Sequence, residues 1–214
     1  MKSCQCIGIE REFNAEDAEN ELAAYREQGP SKTTQILIDA LTEQGVEGRT
    51  LLDIGGGVGA IQHALLGAGA ATATAVEAST AFARAAEDQA RELGRSEQVE
   101  VRHGDFVELA DTVPQHDIVT LDRVICCYDD MKSLVGLSAT RARKLYGVVY
   151  PRDDWWAKLV ARLGNFFFWI TRNPFRVFVH PEAAVQRILD QAGLERVFYK
   201  RTFIWRVAVY ARKS

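Results

Sequence analysis

Cysteine, histidine, proline and methionine are scarce: 4, 4, 5 and 2 in a chain of 214 residues. Cys4 and Cys6 near the N-terminus and the adjacent pair Cys126 and Cys127 offer neither a zinc-ribbon ladder nor a disulfide framework. No metal is expected, and a reducing cytoplasm is the expected compartment. No stretch reaches the roughly 18 apolar residues of a membrane span. The nearest, Trp155 to Ile170, is broken by Lys158, Arg162 and Asn165. The N-terminus MKSCQCIGIEREF carries no apolar secretory h-region. Charge of one sign is not in excess either, with 26 Lys and Arg against 29 Asp and Glu. Together with 47% apolar residues this excludes disordered, collagenous and coiled-coil chains. The length suits one domain with a core large enough to fold without staples. The near-neutral sum hides an asymmetry. Residues 1–140 hold 11 basic and 24 acidic side chains, and residues 141–214 hold 15 and 5. A basic C-terminal third suits an anionic substrate, an anionic lipid surface or nucleic acid, or simply balances the acidic half.

Residues 14 to 28 are acidic and helix-prone, and Gly29-Pro30 stops them. Ser31 then offers an N-cap for the run Thr33 to Gln44, so two leading helices are expected. From Thr50 short β-rich runs alternate with helical ones: TLLDI, AIQHALLGAG, ATATAVEA, STAFARAAEDQARELG and VEVRHG. That rhythm predicts βαβ units and a parallel sheet. HDIVTLD at 116–122 and KLYGVVYP at 144–151 add strands around a helix over 130–143. An aromatic segment, 152–176, interrupts the rhythm. VFVH follows it, then Pro181 at a helix N1 position, a helix to Ala192, and the Gly193 stop. LERVFYKR and FIWRVAVYAR form a final antiparallel pair, because a parallel crossover needs a dozen or more residues. The expected organisation is an N-terminal helical segment, 1–48, over an α/β domain, 49–214.

The sharpest signal is Asp53-Ile54-Gly55-Gly56-Gly57-Val58-Gly59, a buried strand entering a glycine loop and then a helix. Glycines let backbone approach a ligand whose negative group sits at the helix N-terminus. Gly55, Gly57 and Ala60 taken alone also satisfy a dinucleotide fingerprint, so the loop by itself does not choose the cofactor. Three features do. Asp53, two residues before the first glycine, repels a pyrophosphate and attracts an ammonium. Glu77 ends the second strand, placed for ribose hydroxyls. Asp105-Phe106 follows the third strand, an acid for the adenine amino group and an aromatic to cover the ring. Adenosine joined to a charged amino acid describes S-adenosylmethionine (SAM).

With DIGGGVG at 53–59, AVEAS at 75–79, GDF at 104–106 and HDIVTLDRV at 116–124, the chain resembles the class I SAM-dependent methyltransferases. The resemblance implies a doubly wound, seven-stranded, mostly parallel sheet whose last strand is antiparallel. It places Asp53, Gly55, Gly56, Gly57 and Gly59 at the methionine end of the cofactor and Glu77 with Ala78 at the ribose. Asp105 and Phe106 fall at the adenine, and Leu121 to Arg123 border the methyl group. Asp122 to Tyr128, Tyr150-Pro151 and His180 look most like the magnesium-protoporphyrin O-methyltransferase group. Arg123, Cys126, Cys127 and the Trp155-Trp156 pair depart from that group's pattern.

The expected activity is methyl transfer from SAM to a small or medium-sized acceptor, an oxygen before nitrogen or carbon, a porphyrin-like carboxylate included. Asp122, Tyr128 and His180 are the candidate catalytic residues. Arg123, Tyr150, Arg152 and Trp155 are the candidate acceptor contacts, with Arg176 as a further cation. Methyl transfer from a sulfonium needs no enzyme nucleophile, so the two central cysteines read as small buried residues. The aromatic segment ranks first as a cap over substrate, then as core, then as a membrane contact. Nucleic-acid methylation, a SAM-binding partner protein without catalysis, and NAD-dependent chemistry are the rival readings. No Asn-Pro-Pro-Tyr segment or RNA-binding module supports the first of these, and Asp53 opposes the last.

Overall fold

The computed structural model describes residues 4–213, and the side chains from Ile7 onward; those of Cys4 and Cys6 lie outside that set. Three helices precede the sheet: α1 (Cys4–Glu12), α2 (Ala15–Gln28) and α3 (Lys32–Glu43). Sequence reading gives the last two. Asn14 caps α2 through a reciprocal bond with Asp17, and Ser31 accepts from the Thr34 N–H to cap α3, each satisfying donors left free at a helix start. The helix α1 is short and is not among the elements expected from the sequence.

The alternation then runs as expected: β1 (Thr50–Ile54), α4 (Ala60–Gly67), β2 (Thr72–Glu77), α5 (Thr80–Glu92), β3 (Val99–His103) and α6 (Phe106–Leu109). Next come β4 (His116–Asp122), α7 (Met131–Arg141) and β5 (Ala142–Pro151). The chain closes with α8 (Trp155–Ile170), α9 (Glu182–Gln191), β6 (Leu194–Arg201) and β7 (Trp205–Arg212). Pro181 is the N-cap of α9, one position earlier than expected, and residues 173–180 run as irregular chain.

The seven strands order as β3-β2-β1-β4-β5-β7-β6, with β7 antiparallel to both neighbours and the remaining pairs parallel. Apolar runs such as Leu51-Leu52 and Ile118-Val119 are buried on both faces, as strands of a helix-covered parallel sheet must be. Leu37, Leu41, Ile61 and Leu65 cover one face; Leu134, Val135, Val185 and Leu189 cover the other. Truncating such a buried leucine to alanine costs about 2–5 kcal/mol. The strand order reverses between β1 and β4. In sheets of this type the ligand crevice opens at that reversal, beyond the carboxyl ends of the strands. The glycine loop leaves β1 there, and Asp122 ends β4 beside it.

Helices α1 and α2 fold back over this edge. Ser79 Oγ donates to the Phe13 carbonyl at 2.6 Å, and the Thr80 N–H donates to Glu10 at 3.1 Å. Phe13 meets Phe82 edge-on at 5.9 Å between ring centres, and Ala18 packs beside Val58 and Phe82.

Candidate active site

Two adjoining cavities lie over the crevice, of about 410 Å3 and about 370 Å3. Both volumes suit a small molecule. They meet at Glu21, Gly55, Gly57, Asp122 and Arg123. The larger is lined by Glu77, Ala78, Gly104, Asp105, Phe106 and Tyr128, among others. The smaller runs under α2 and α3, past Tyr25, Lys32 and Thr34. The expected cofactor residues around the glycine loop, Glu77 and the Asp105-Phe106 pair are thus drawn from three separate strand ends into one crevice.

Glu77 accepts hydrogen bonds from the Gly57 N–H at 3.2 Å and the Ser79 N–H at 3.0 Å. Burial nevertheless pushes its carboxyl up to about 7, since desolvation penalises the charged form more than the backbone donors favour it. A buried acid facing a cavity fits a ligand that brings its own donors. Ala78 lies beside it, its carbonyl in contact with the His103 ring at 3.2 Å. Asp105 caps α6 by accepting from the Val107 N–H at 2.9 Å and also accepts from the Tyr128 hydroxyl at 2.8 Å. The cap and the cavity wall are therefore the same carboxylate. Phe106 is buried against the larger cavity.

Asp53 stands differently from the sequence expectation. It is fully buried, lines neither cavity, and accepts from Thr120 Oγ1 at 2.7 Å and Gln62 Nε2 at 3.2 Å. Burial raises it to about 6. A Cβ on Gly56 would overlap this carboxylate and come within 2.7 Å of Gln62 Nε2. Asp53 thus lies directly beneath the glycine loop, against Gly56. Gly59, at φ +86°, is the left-handed N-cap of α4 and lies outside both linings.

Asp122 faces both cavities. It accepts from Thr34 Oγ1 at 2.5 Å and from Arg123 Nε at 3.3 Å. Arg123 adopts φ +62°, a left-handed conformation that strains a residue with a side chain. Its N–H donates to the Val149 carbonyl at 2.9 Å, which pins the turn. Leu121, one residue earlier, points into the core. Two residues that sequence reasoning missed complete this junction. Thr34 orients Asp122, and Glu21 reaches over Gly57, raised above its ordinary carboxylate value by desolvation and, less, by Asp122, against the lowering pull of Arg123. In sequence Glu21 is one acid among several on α2, with no signal to separate it.

His180 is not at the cavities. Its Nε2 lies 2.9 Å from the Tyr128 carbonyl, an oxygen that only accepts, so this nitrogen donates and is not free to take a proton. Together with the Phe178 N–H bound to the Cys126 carbonyl at 2.7 Å, this bond ties the chain before α9 to the Cys126–Tyr128 segment. Tyr150 is also drawn away. Strand alternation sends it inward with Tyr146 and Val148 into the core. Arg152, past the strand end, pairs with Asp154 at 2.6 Å and donates to the Thr202 carbonyl. Arg176 is spent on the carbonyls of Asn173 and Phe175. Trp155 is 77% exposed, and no residue of α8 lines either cavity. The aromatic segment is thus no cap in this structure; only Phe175 and Val177, which follow α8, reach the cavity wall. Cys126 and Cys127 line it with their sulfurs 3.8 Å apart. Among the described residues no cluster could hold a metal ion.

Tyr128→Phe removes one hydrogen bond to Asp105, worth about 1 kcal/mol. SAM affinity measured by calorimetry is expected to fall fivefold to tenfold, with the fold unchanged; an unaltered affinity would separate Tyr128 from the cofactor cavity.

A family model of the O-methyltransferase domain matches residues 4–143. No curated protein matches by sequence. Among solved structures, magnesium protoporphyrin IX methyltransferase from Synechocystis PCC 6803 with bound SAH is similar at a TM-score of 0.75 and 18% identity, over 98% of this chain and 100% of that one. An O-methyltransferase family protein from Burkholderia thailandensis gives 0.73 and 17%, over 98% and 64%. Geranyl diphosphate C-methyltransferase from Streptomyces coelicolor A3(2), in complex with Mg2+, geranyl diphosphate and S-adenosyl-L-homocysteine, gives 0.68 and 16%, over 94% and 85%. These likenesses share the fold, and the family model spans more than half of the sequence. The chain belongs to the O-methyltransferase domain family and is a SAM-dependent methyltransferase.

Proposed function

We propose that the chain methylates an oxygen of a small or medium-sized acceptor, a carboxylate of a porphyrin-like molecule being the favoured class. The observation that carries this reading is the meeting of the two cavities at Asp122 and Arg123. The larger cavity holds the ribose and adenine residues, so the reacting end of the cofactor falls at the junction with the smaller one. Glu77 accepts the ribose hydroxyls, Asp105 takes the adenine amino group, and Phe106 covers the ring. The glycine loop, set by Asp53, brings bare backbone to the methionine end. Bound SAM supplies an electrophilic methyl carbon on a sulfonium.

The chain's own task is then alignment, which supplies much of the acceleration in a direct displacement. A carboxylate acceptor is already ionised at neutral pH, so it needs a cation to place it rather than a base. Arg123 is that cation: it sits where the cavities join and its backbone is pinned. Asp122, oriented by Thr34, holds the guanidinium. A hydroxyl acceptor would instead need a proton acceptor at the junction, and Asp122 and Glu21 are the groups there.

The test uses SAM labelled in its methyl group with three acceptors: a porphyrin carboxylate, a phenol and an isoprenoid diphosphate. The expected product carries label released by alkali, as from a methyl ester. Label in an alkali-stable carbon-bound product alone would overturn oxygen as the acceptor atom. Arg123→Ala is expected to raise the KM for a carboxylate acceptor about tenfold, the loss of one charge-assisted hydrogen bond, and to leave SAM affinity within twofold.

A further inference from the structure

The helix α8 reverses the arrangement of an ordinary surface helix. Toward the protein it turns Ala157, Ala161, Gly164, Asn165 and Phe168. Away from it, Trp155, Leu159, Leu163, Phe166 and Ile170 succeed one another at intervals of four, four, three and four residues, and all are exposed. At about 100° per residue those five fall in an arc of about 80°. A stripe that normally faces a core here faces outward. A second element extends it. The β6–β7 turn presents Phe203, 78% exposed, and Ile204, and Phe203 stacks on Trp156 with ring centres 5.3 Å apart.

The charges that α8 and the β6–β7 turn themselves carry have one sign, and Asp154 at the start of the helix is paired with Arg152. No Asp or Glu occurs in α8. Lys158 and Arg162 flank the stripe, Arg172 follows the helix, and Lys200 and Arg201 lead into the hairpin turn; all five are exposed and none forms an ion pair with a described residue. Trp155 and Trp169 stand near the two ends of the helix, both exposed. Indole rings with an apolar body and a polar N–H favour the boundary between headgroups and acyl chains.

We infer that α8 and the β6–β7 turn form a docking surface for an anionic lipid bilayer, on which α8 lies in the plane of the interface. The other side of the helix is packed on the protein, so it rests on a membrane rather than crossing it; among the described residues no helix is long and apolar enough to cross one. The cations answer anionic headgroups, each strengthening attachment by about fivefold near a charged surface. A second copy of the chain fits this surface less well, because a two-fold contact would set the same five cations against each other. The chain that leaves α8 runs directly into Phe175 and Val177 of the cavity wall, so the docked face adjoins the site.

The test is co-sedimentation of the full chain with vesicles of phosphatidylcholine containing about 30% phosphatidylserine, against phosphatidylcholine alone, at low ionic strength where surface electrostatics are least screened. Binding is expected to be at least tenfold tighter on the anionic vesicles. Leu163→Ser with Phe166→Ser should weaken it at least tenfold, and Lys158→Gln with Arg162→Gln about 25-fold, two cations at about fivefold each. Circular dichroism and SAM affinity should be unchanged in both variants, since none of these residues lines the cavities. Three results would overturn the inference: no sedimentation with anionic vesicles, equal binding by the wild-type and serine variants, or a dimer in sedimentation velocity that the serine variant dissociates.

Discussion

Replacing Glu77 by alanine is expected to weaken SAM binding by about 100-fold or more. A hydrogen bond to a charged group contributes about 1.5–3 kcal/mol, and a ribose offers two hydroxyls to one carboxylate. Even at the low end the pair comes to about 3 kcal/mol, which is two powers of ten. The fold should survive, because the side chain's ionisation opposes folding. Its carboxyl pKa is pushed from an ordinary 4.5 up to about 7 by burial, so its neutral form suits the ligand-free protein. The contribution of Glu77 to ligand-free stability is fully present below pH 4.5 and is lost as pH rises through about 7. Cofactor binding has the opposite dependence, since the ribose hydroxyls need the ionised form. SAM affinity is therefore expected to fall as pH drops from 8 to 6, by up to tenfold per unit below about 7. Asp53, raised to about 6, acts in the same direction at lower pH. The melting-temperature increment given by SAM should accordingly be larger at pH 8 than at pH 6. Calorimetry on Glu77→Ala, and on Glu77→Gln across the same pH range, checks this. An affinity unchanged by the alanine, or a pH slope between pH 8 and pH 6.5 as steep in the glutamine variant as in the wild type, would remove Glu77 from the cofactor.

The features legible in the sequence are those carried by local chemistry. A buried run entering three glycines, an acid at the next strand end and an acid-aromatic pair at the third need only their own neighbours to be recognised, and the fold brings them together at the strand-order reversal. What the sequence leaves hidden depends on distant residues. Thr34 acts on Asp122 across 88 positions, and nothing near Thr34 signals it. Glu21 differs from the other acids of α2 only by lying over Gly57. The periodicity of α8 is plain in its sequence, but a 3.6-residue period marks a stripe without saying whether it faces core or solvent. Tyr150 shows the same limit in a strand. Its place near a strand end suggests the site, whereas the alternation it shares with Tyr146 and Val148 puts it in the core. His180 has a chemistry suited to proton transfer, yet its Nε2 is committed to a carbonyl.

Gly56→Ala should abolish SAM binding, with a loss of more than 100-fold, for a reason separate from backbone freedom. Gly55 and Gly57 have φ of +63° and +58°, where any side chain is strained. Gly56 has no positive φ, and its constraint comes from below: the added Cβ would overlap the Asp53 carboxylate and crowd Gln62 Nε2. Neither neighbour can step aside, since both are fully buried and Asp53 is tied to Thr120 as well. The loop itself must lift, and the backbone that should meet the ligand moves with it. Displacements of about 1 Å at such a surface cost about 100-fold when alignment carries the function. Asp53→Ala removes the nearer of the two clashes beneath Gly56 and the hydrogen bond that holds Gln62 against it, so the pair forms a double-mutant cycle. If the defect is a clash, the Asp53→Ala/Gly56→Ala protein binds SAM more tightly than Gly56→Ala alone. Absence of recovery would mean that the buried charge is itself required by the cofactor's ammonium group, the role its position before the glycines suggests, and wild-type affinity in Gly56→Ala would show that the loop is not the cofactor's seat.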